Sequence, residues 1–238
     1  MATSPPLYGS EQSRFARYLE QREARNPDLV ARELRARLIA GLGGRVLEVG
    51  CGDGRNFQHY PPGVSRVLAV EPDPNARAVA LERAAEARVP IEVVEGVASP
   101  LPAGDASFDA AVLVWVLCSV LDPAAALQEL RRVLVPGGEL RFYEHVRSGK
   151  AVFRALQRVG DRLFWTRALG GCETTRDSVR AIEDAGFEIA SLDRGFQAST
   201  VLTITAAPYV LGVARSPQRA RALLRADAAG GATRAGRA

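Results

Sequence analysis

The chain has 238 residues and is poor in cysteine, histidine, methionine and tryptophan, with 3, 2, 1 and 2 of each. Cys51, Cys118 and Cys172 are odd in number and far apart in sequence. That pattern argues against a disulfide framework and against a zinc site, so a reducing cytoplasm and no metal are the expectations. Long apolar runs are also absent: nothing reaches the roughly 18 residues needed to span a bilayer. Residues 111–121 come closest, with the length of a core strand. The opening MATSPPLYGS has no charged start followed by an apolar stretch, so no signal peptide is expected. Lysine is nearly missing, Lys150 being the only one. The net charge of +4 comes from residues 215–238, where six arginines stand against Asp227 for a net +5, leaving the remainder near −1. A basic tail on a near-neutral body gives no basis for nucleic-acid binding, and its Ala/Gly/Arg composition reads as solvated disorder.

What is present centres on Arg45 to Asn56, RVLEVGCGDGRN. A β-branched run ends in glycines at every second position, Gly50, Gly52 and Gly54. Glycine is required where the backbone takes positive φ or must lie against a ligand with no Cβ in the way. A strand that breaks into such a turn offers backbone N–H groups to a ligand at the carboxyl edge of a sheet. The spacing differs from the dinucleotide fingerprint, and Glu48 precedes the first glycine by two residues. An acid there suits a ligand with an ammonium group and no phosphates, such as S-adenosyl-L-methionine (SAM). A second acid, Glu71, ends the next apolar run about 20 residues past the loop, where doubly wound nucleotide sites put a carboxylate on the ribose hydroxyls.

Strand and helix alternate along the chain. Strands are predicted over 66–70, 91–95, 110–116 and 139–144, with helices starting at Asp73-Pro74 and Asp122-Pro123, the latter ending at Pro136-Gly137-Gly138. This alternation predicts an α/β protein with a parallel sheet covered by helices on both faces. Ahead of the first strand, amphipathic helices are predicted over 11–25 and from Asn26-Pro27 to Gly41, and a short helix over 56–60. The domain reading is a helical cap over 1–40, a catalytic domain over 41–215 and a disordered tail over 216–238.

Four stretches together resemble the class I SAM-dependent methyltransferases: VLEVGCGDG (46–54), VEPD (70–73), LPAGDASFDAAV (101–112) and RRVLVPGGEL (131–140). The resemblance implies a Rossmann-like, doubly wound sheet of seven strands, mostly parallel, with the last strand antiparallel. Thr174 to Gly186 fits the helix before the closing hairpin, with Thr174 and Asp177 as a capping box, and 187–192 and 209–214 fit the hairpin. Narrower likeness in LVWVLCSVLDP (113–123), RFYEHVR (141–147) and GCETTRDS (171–178) points to the alkyl-thiol methyltransferase-like group, with the ubiquinone/menaquinone-biosynthesis type as the wider neighbourhood. By this resemblance Glu48, Gly50, Cys51, Gly52, Gly54 and Asn56 hold the amino-acid end of SAM. Glu71 takes the ribose, Pro72, Val97 and Ala98 flank the adenine, and Val114 or Trp115 closes over the methionine portion. The chain has Gly96-Val97-Ala98 where the family more often has Gly-Asp-Ala.

Methyl transfer is an in-line displacement at a sulfonium carbon, so the protein contributes proximity, alignment and water exclusion. SAM is the expected methyl donor and S-adenosyl-L-homocysteine the product. A thiol acceptor needs only a push towards thiolate, whereas a hydroxyl or ring carbon more often needs a positioned base. His59 and His145 are the only imidazoles. His145 ends the fifth strand beside Glu144, which could orient it, and Cys118 follows the fourth; these two are the candidate catalytic residues. Phe153, Phe164, Trp165 and Phe196 lie where this fold builds its acceptor pocket. The expected substrate is a small apolar molecule, a thiol foremost. Oxygen, nitrogen or carbon methylation, or SAM binding without methyl transfer, are the alternatives. The chain is read as a monomer or homodimer.

Overall fold

A computed structural model describes residues 29–165, 171–197 and 201–218. The predicted helix over 11–25, the Asn26-Pro27 helix start and most of the basic tail lie outside these. Twelve elements follow in order: α1 (Leu29–Ile39), β1 (Gly44–Val49), β2 (Val64–Glu71), α2 (Pro74–Ala85), β3 (Ile91–Glu95), β4 (Phe108–Val114), α3 (Pro123–Val133), β5 (Leu134–His145), α4 (Ala151–Gly160), α5 (Ser178–Asp184), β6 (Glu188–Phe196) and β7 (Pro208–Arg215). The seven strands form one sheet in the order β3-β2-β1-β4-β5-β7-β6. Neighbours from β3 to β5 pair in parallel, and β7 runs antiparallel between β5 and β6. This is the α/β, seven-stranded doubly wound architecture expected, with its antiparallel last strand.

Each central strand is apolar on both faces because each face is covered. Leu47 and Val49 of β1, Leu113 of β4 and Phe142 of β5 pack with Leu127 and Leu130 of α3 and Ile182 of α5. The alternate residues, Val46, Val112 and Tyr143, turn to the other face and pack with Leu34, Leu38 and Ile39 of α1 and Ala80 of α2. The period of two along each strand thus feeds two separate cores. Arg141 of β5 donates to the carbonyls of Leu38 and Ala40, satisfying the C-terminal end of α1 against the sheet.

Several boundaries differ from the sequence reading for local reasons. The fourth strand ends at Val114, two residues early, because Trp115 turns the chain with φ of 59°. Helix α3 stops at Val133 and the chain runs directly into β5, which accommodates Pro136-Gly137-Gly138 as an irregularity in its pairing with β4. The predicted helix over 56–60 is a single 3-10 turn, Phe57–His59. Thr174 does not cap the next helix: its hydroxyl donates to Asp161, and Asp177 caps α5 by accepting from the Arg180 N–H.

Candidate active site

The carboxyl ends of β1, β2, β4 and β5 share one edge of the sheet, and the loops leaving them build two adjoining regions. The first is the glycine loop. Gly50, Gly52 and Gly54 have φ of 65°, 56° and 80°, the left-handed region in which a side chain is strained. The Gly50 and Cys51 N–H groups donate to the Val70 carbonyl, tying the loop to β2. A Cβ on Gly50 would lie 2.8 Å from Val116 Cγ2, whereas one on Gly52 would meet nothing within 4 Å. Gly52 therefore borders open space that a ligand can enter.

Two buried acids flank the loop. Glu48 accepts from Asn56 Nδ2 and the Tyr60 hydroxyl, both at 2.7 Å. Burial raises its carboxyl to a pKa of about 7, partly countered by those hydrogen bonds and by Arg35. Arg35 comes from α1 and donates to Asn56 Oδ1 at 3.0 Å. Glu71 accepts from the Gly52 N–H at 2.8 Å and the Asp73 N–H at 2.9 Å, and burial raises its pKa too. The Cys51 thiol is buried under the loop and pushed up by that burial. Pro72, Val97 and Ala98 leave the ends of β2 and β3, half-buried.

The second region follows β4 and β5. The Trp115 ring stacks on His145 with centroids 5.3 Å apart and planes at 9°, and the Arg35 guanidinium sits 5.0 Å from the same ring. Its buried indole N–H meets no acceptor among the described residues, which leaves a donor for a bound molecule. His145 Nδ1 lies 3.8 Å from Cys118 Sγ and 3.5 Å from Cys172 Sγ. Cys118 is fully buried, and its thiol is raised by its contact with Cys172 and by burial. The three cysteines that looked scattered thus divide into one under the glycine loop and two on one imidazole.

Glu144 does not orient His145. Neighbours on a strand face opposite ways, and the Glu144 carboxylate accepts from the backbone N–H groups of Val116, Leu117 and Cys118 at 2.9, 3.0 and 3.2 Å. It holds the turn that carries Cys118. His59, the other imidazole, sits in the 3-10 turn, where burial lowers its pKa. Phe153 packs edge-on to Phe196 at 5.8 Å; the side chains of Phe164 and Trp165 lie outside the described residues.

The sequence reading missed Arg35, Tyr60, Gln157 and Asp161. Arg35 has a signal in the sequence, since it interrupts the apolar stripe of α1 formed by the buried Ala31, Leu34, Leu38 and Ile39. The buried carboxylate of Asp161 accepts from the hydroxyls of Thr174 and Thr175, a contact across 13 and 14 residues that no local pattern announces.

A buried acid with the charge to pair with an ammonium, a glycine cradle bordering open space and a carboxylate at the end of β2 form a donor set that fits SAM. Residues 47–142 match the model of the methyltransferase domain family. The thiol S-methyltransferase TMT1B of Homo sapiens is 35% identical over 182 residues, 74% of this chain and 73% of that one. A SAM-dependent methyltransferase structure from Thermotoga maritima superposes with a TM-score of 0.63 at 24% identity, covering 87% of this chain and 99% of that chain. The [4+2]-cyclase SpnF superposes with a TM-score of 0.60 at 23% identity, covering 79% and 80%, so likeness of fold does not by itself specify the reaction. Sequence similarity along most of both chains does, and the protein belongs to the class I SAM-dependent methyltransferases.

Proposed function

We propose that this methyltransferase moves the methyl group of SAM to the sulfur of a small apolar thiol. The observation that carries the reading is the meeting, at one sheet edge, of the acid-and-glycine cradle with a corner lined by Trp115, His145 and two buried cysteines. Relatives similar over most of their length bear the name thiol S-methyltransferase, which favours sulfur over oxygen, nitrogen or carbon. A reducing, cytoplasmic setting suits the free thiols of Cys51, Cys118 and Cys172.

SAM, when bound, supplies a methyl group activated on a sulfonium. Glu48, steadied by Asn56 and Tyr60, faces the ammonium, while Gly50, Cys51, Gly52 and Gly54 line the amino-acid end with backbone. Glu71 receives the ribose hydroxyls, Pro72, Val97 and Ala98 flank the adenine, and Val114 and Trp115 cover the methionine portion, with the indole N–H available as a donor. Cys118 and His145 face the acceptor. His145 Nδ1 accepts or shares a proton with a thiol group at the distances it already keeps from two of them. Because displacement at the methyl needs only a thiolate in line, alignment and exclusion of water account for most of the catalysis.

Calorimetric titration with SAM and with S-adenosyl-L-homocysteine, followed by methyl transfer to alkyl thiols, phenols, amines and quinols, tests the reading. Binding of both ligands with turnover on thiols is expected. Turnover confined to another acceptor class overturns the thiol assignment, and binding without any turnover favours a role without methyl transfer.

A further inference from the structure

Cys118, His145 and Cys172 are the one group of described residues whose histidine, cysteine and carboxylate atoms converge closely enough to hold a metal ion: Sγ, Nδ1 and Sγ all lie within 4.8 Å of one another. We propose that they form a Cys2His site for one zinc-type divalent cation, whose fourth position takes the acceptor thiol as thiolate. The inference rests on the thiol reading above for its fourth ligand, and on geometry alone for the other three.

The distances fit. Zinc binds thiolate sulfur at about 2.3 Å and imidazole nitrogen at about 2.0 Å, so the S···N edge of a tetrahedral site is about 3.5–3.6 Å. The two S···Nδ1 distances are 3.5 and 3.8 Å with no ion between the groups. Binding requires a shift of a few tenths of an ångström at most along these edges. Binding exchanges the two thiol protons, released to water, for two metal–sulfur bonds. The resulting thiolates neutralise a divalent cation, which suits a place where Cys118 is fully buried and Cys172 is 6% exposed. Three protein ligands with one position left is the arrangement of a catalytic rather than a structural zinc.

The ligands are also pre-positioned, a requirement that chance proximity does not meet. The Glu144 carboxylate fixes the turn bearing Cys118 through three backbone N–H groups. The Glu173 N–H donates to the Cys118 carbonyl at 2.7 Å, which ties the segment carrying Cys172 directly to that turn. Buried Gln157 donates to the Thr174 carbonyl at 3.0 Å from behind. Stacking against Trp115 sets the plane of the His145 ring. With Nδ1 on the metal, His145 is a ligand and no longer the proton acceptor of the metal-free reading above: a thiol R–SH entering the fourth position forms a metal–sulfur bond and releases its proton to water. The site would thus ready the sulfur at the edge where the glycine cradle holds the donor.

The test uses the full-length reduced protein, titrated with Co2+ alone and with Zn2+ alone. One equivalent per chain with thiolate-to-cobalt charge-transfer absorbance is expected for the wild type and for Cys51→Ser, whose thiol lies under the glycine loop. Cys172→Ser and His145→Ala should weaken Co2+ binding by at least about 100-fold, since losing a ligand exceeds the 10–100-fold cost of losing its outer partners. Circular dichroism and SAM titration report whether these variants fold. Adding a simple alkyl thiol to the cobalt-loaded wild type should shift the charge-transfer band. Absence of the band in folded wild-type protein overturns the site without reference to any variant, and an unmoved band overturns the fourth-position role. Methylation of thiols at full rate by metal-free protein overturns the metal's part while leaving the thiol reading intact. A cobalt site in a protein that methylates no thiol leaves the site standing and removes the thiol reading.

Discussion

The two regions at the sheet edge are built in opposite ways. The glycine loop is contiguous in the chain and its shape is a matter of backbone: three left-handed glycines, with N–H groups turned onto Val70 and Glu71. The corner after β4 and β5 is assembled from segments 27 residues apart in each direction from His145, and its shape depends on buried side chains that grip foreign backbone. Glu144, Gln157 and Asp161 each hold a neighbouring segment by accepting from or donating to it. The difference teaches where damage will register. Substitutions in the loop should change ligand affinity with modest cost to folding, and substitutions behind the corner should change folding first.

The sharpest contrast comes from Glu144→Ala. It leaves three buried backbone N–H groups without acceptors. At about 1–3 kcal/mol for each unsatisfied group, partly relieved by relaxation, the expected loss is about 4 kcal/mol of stability. Thermal or urea unfolding measures it. A loss below about 1 kcal/mol would mean the turn holds itself and the two regions do not differ in the way described.

The loop supplies the next and smaller effects, on binding. Gly52→Ala puts a Cβ into open space at φ of 56°, so it strains the backbone by about 1 kcal/mol and collides with nothing in the protein. SAM affinity should nonetheless fall at least ~10-fold, because the proposed site puts the ligand in that space. Glu71→Ala should weaken SAM by a similar ~10-fold through the lost ribose carboxylate. Calorimetric titration beside an unfolding curve separates the two quantities. Unchanged SAM affinity in both variants would remove the cradle from the binding site.

This contrast also explains what could be read from the chain alone. Glycine spacing, the acid before it and Glu71 some 20 residues later are local features, and they land on one patch as expected. The parallel pairing of β1 to β5 follows from alternation, and their two-faced apolar character from being covered by helices on both sides. Cys172 and Cys118 sit 54 residues apart in sequence, and nothing in either neighbourhood names the other. Their meeting depends on Glu173 reaching the Cys118 carbonyl and on a turn ordered by Glu144. The adjacency of Glu144 and His145 in sequence suggested one orienting the other, and strand geometry sends them to opposite sides. Arg35 stands out in the apolar stripe of α1, but its partner does not, since only packing of α1 on the sheet brings it over Trp115.

The finest test of the loop is its dependence on pH. In the free protein burial raises Glu48 to about 7, so near neutrality the carboxyl is about half protonated. An ammonium favours the ionised form, so binding SAM should lower that pKa and release part of a proton below pH 7. Affinity therefore rises with pH until Glu48 is ionised, then levels as the ligand's own α-amino group begins to lose its charge near pH 8. Between pH 7.5 and 6 the fall should be about fivefold, with the same profile for S-adenosyl-L-homocysteine, which shares the amino-acid end. Stability of the free protein runs the other way. The native state holds the Glu48 proton from the ordinary 4.5 up to about 7 while the unfolded chain has lost it. Stability from this group therefore declines as pH rises through that window and is constant above it. Calorimetry in buffers of different ionisation enthalpy reads the released proton, and Glu48→Gln should flatten the acid limb. A wild-type affinity that stays level from pH 6 to 7.5 would place the ammonium elsewhere and leave Glu48 as an acid that serves only Asn56 and Tyr60.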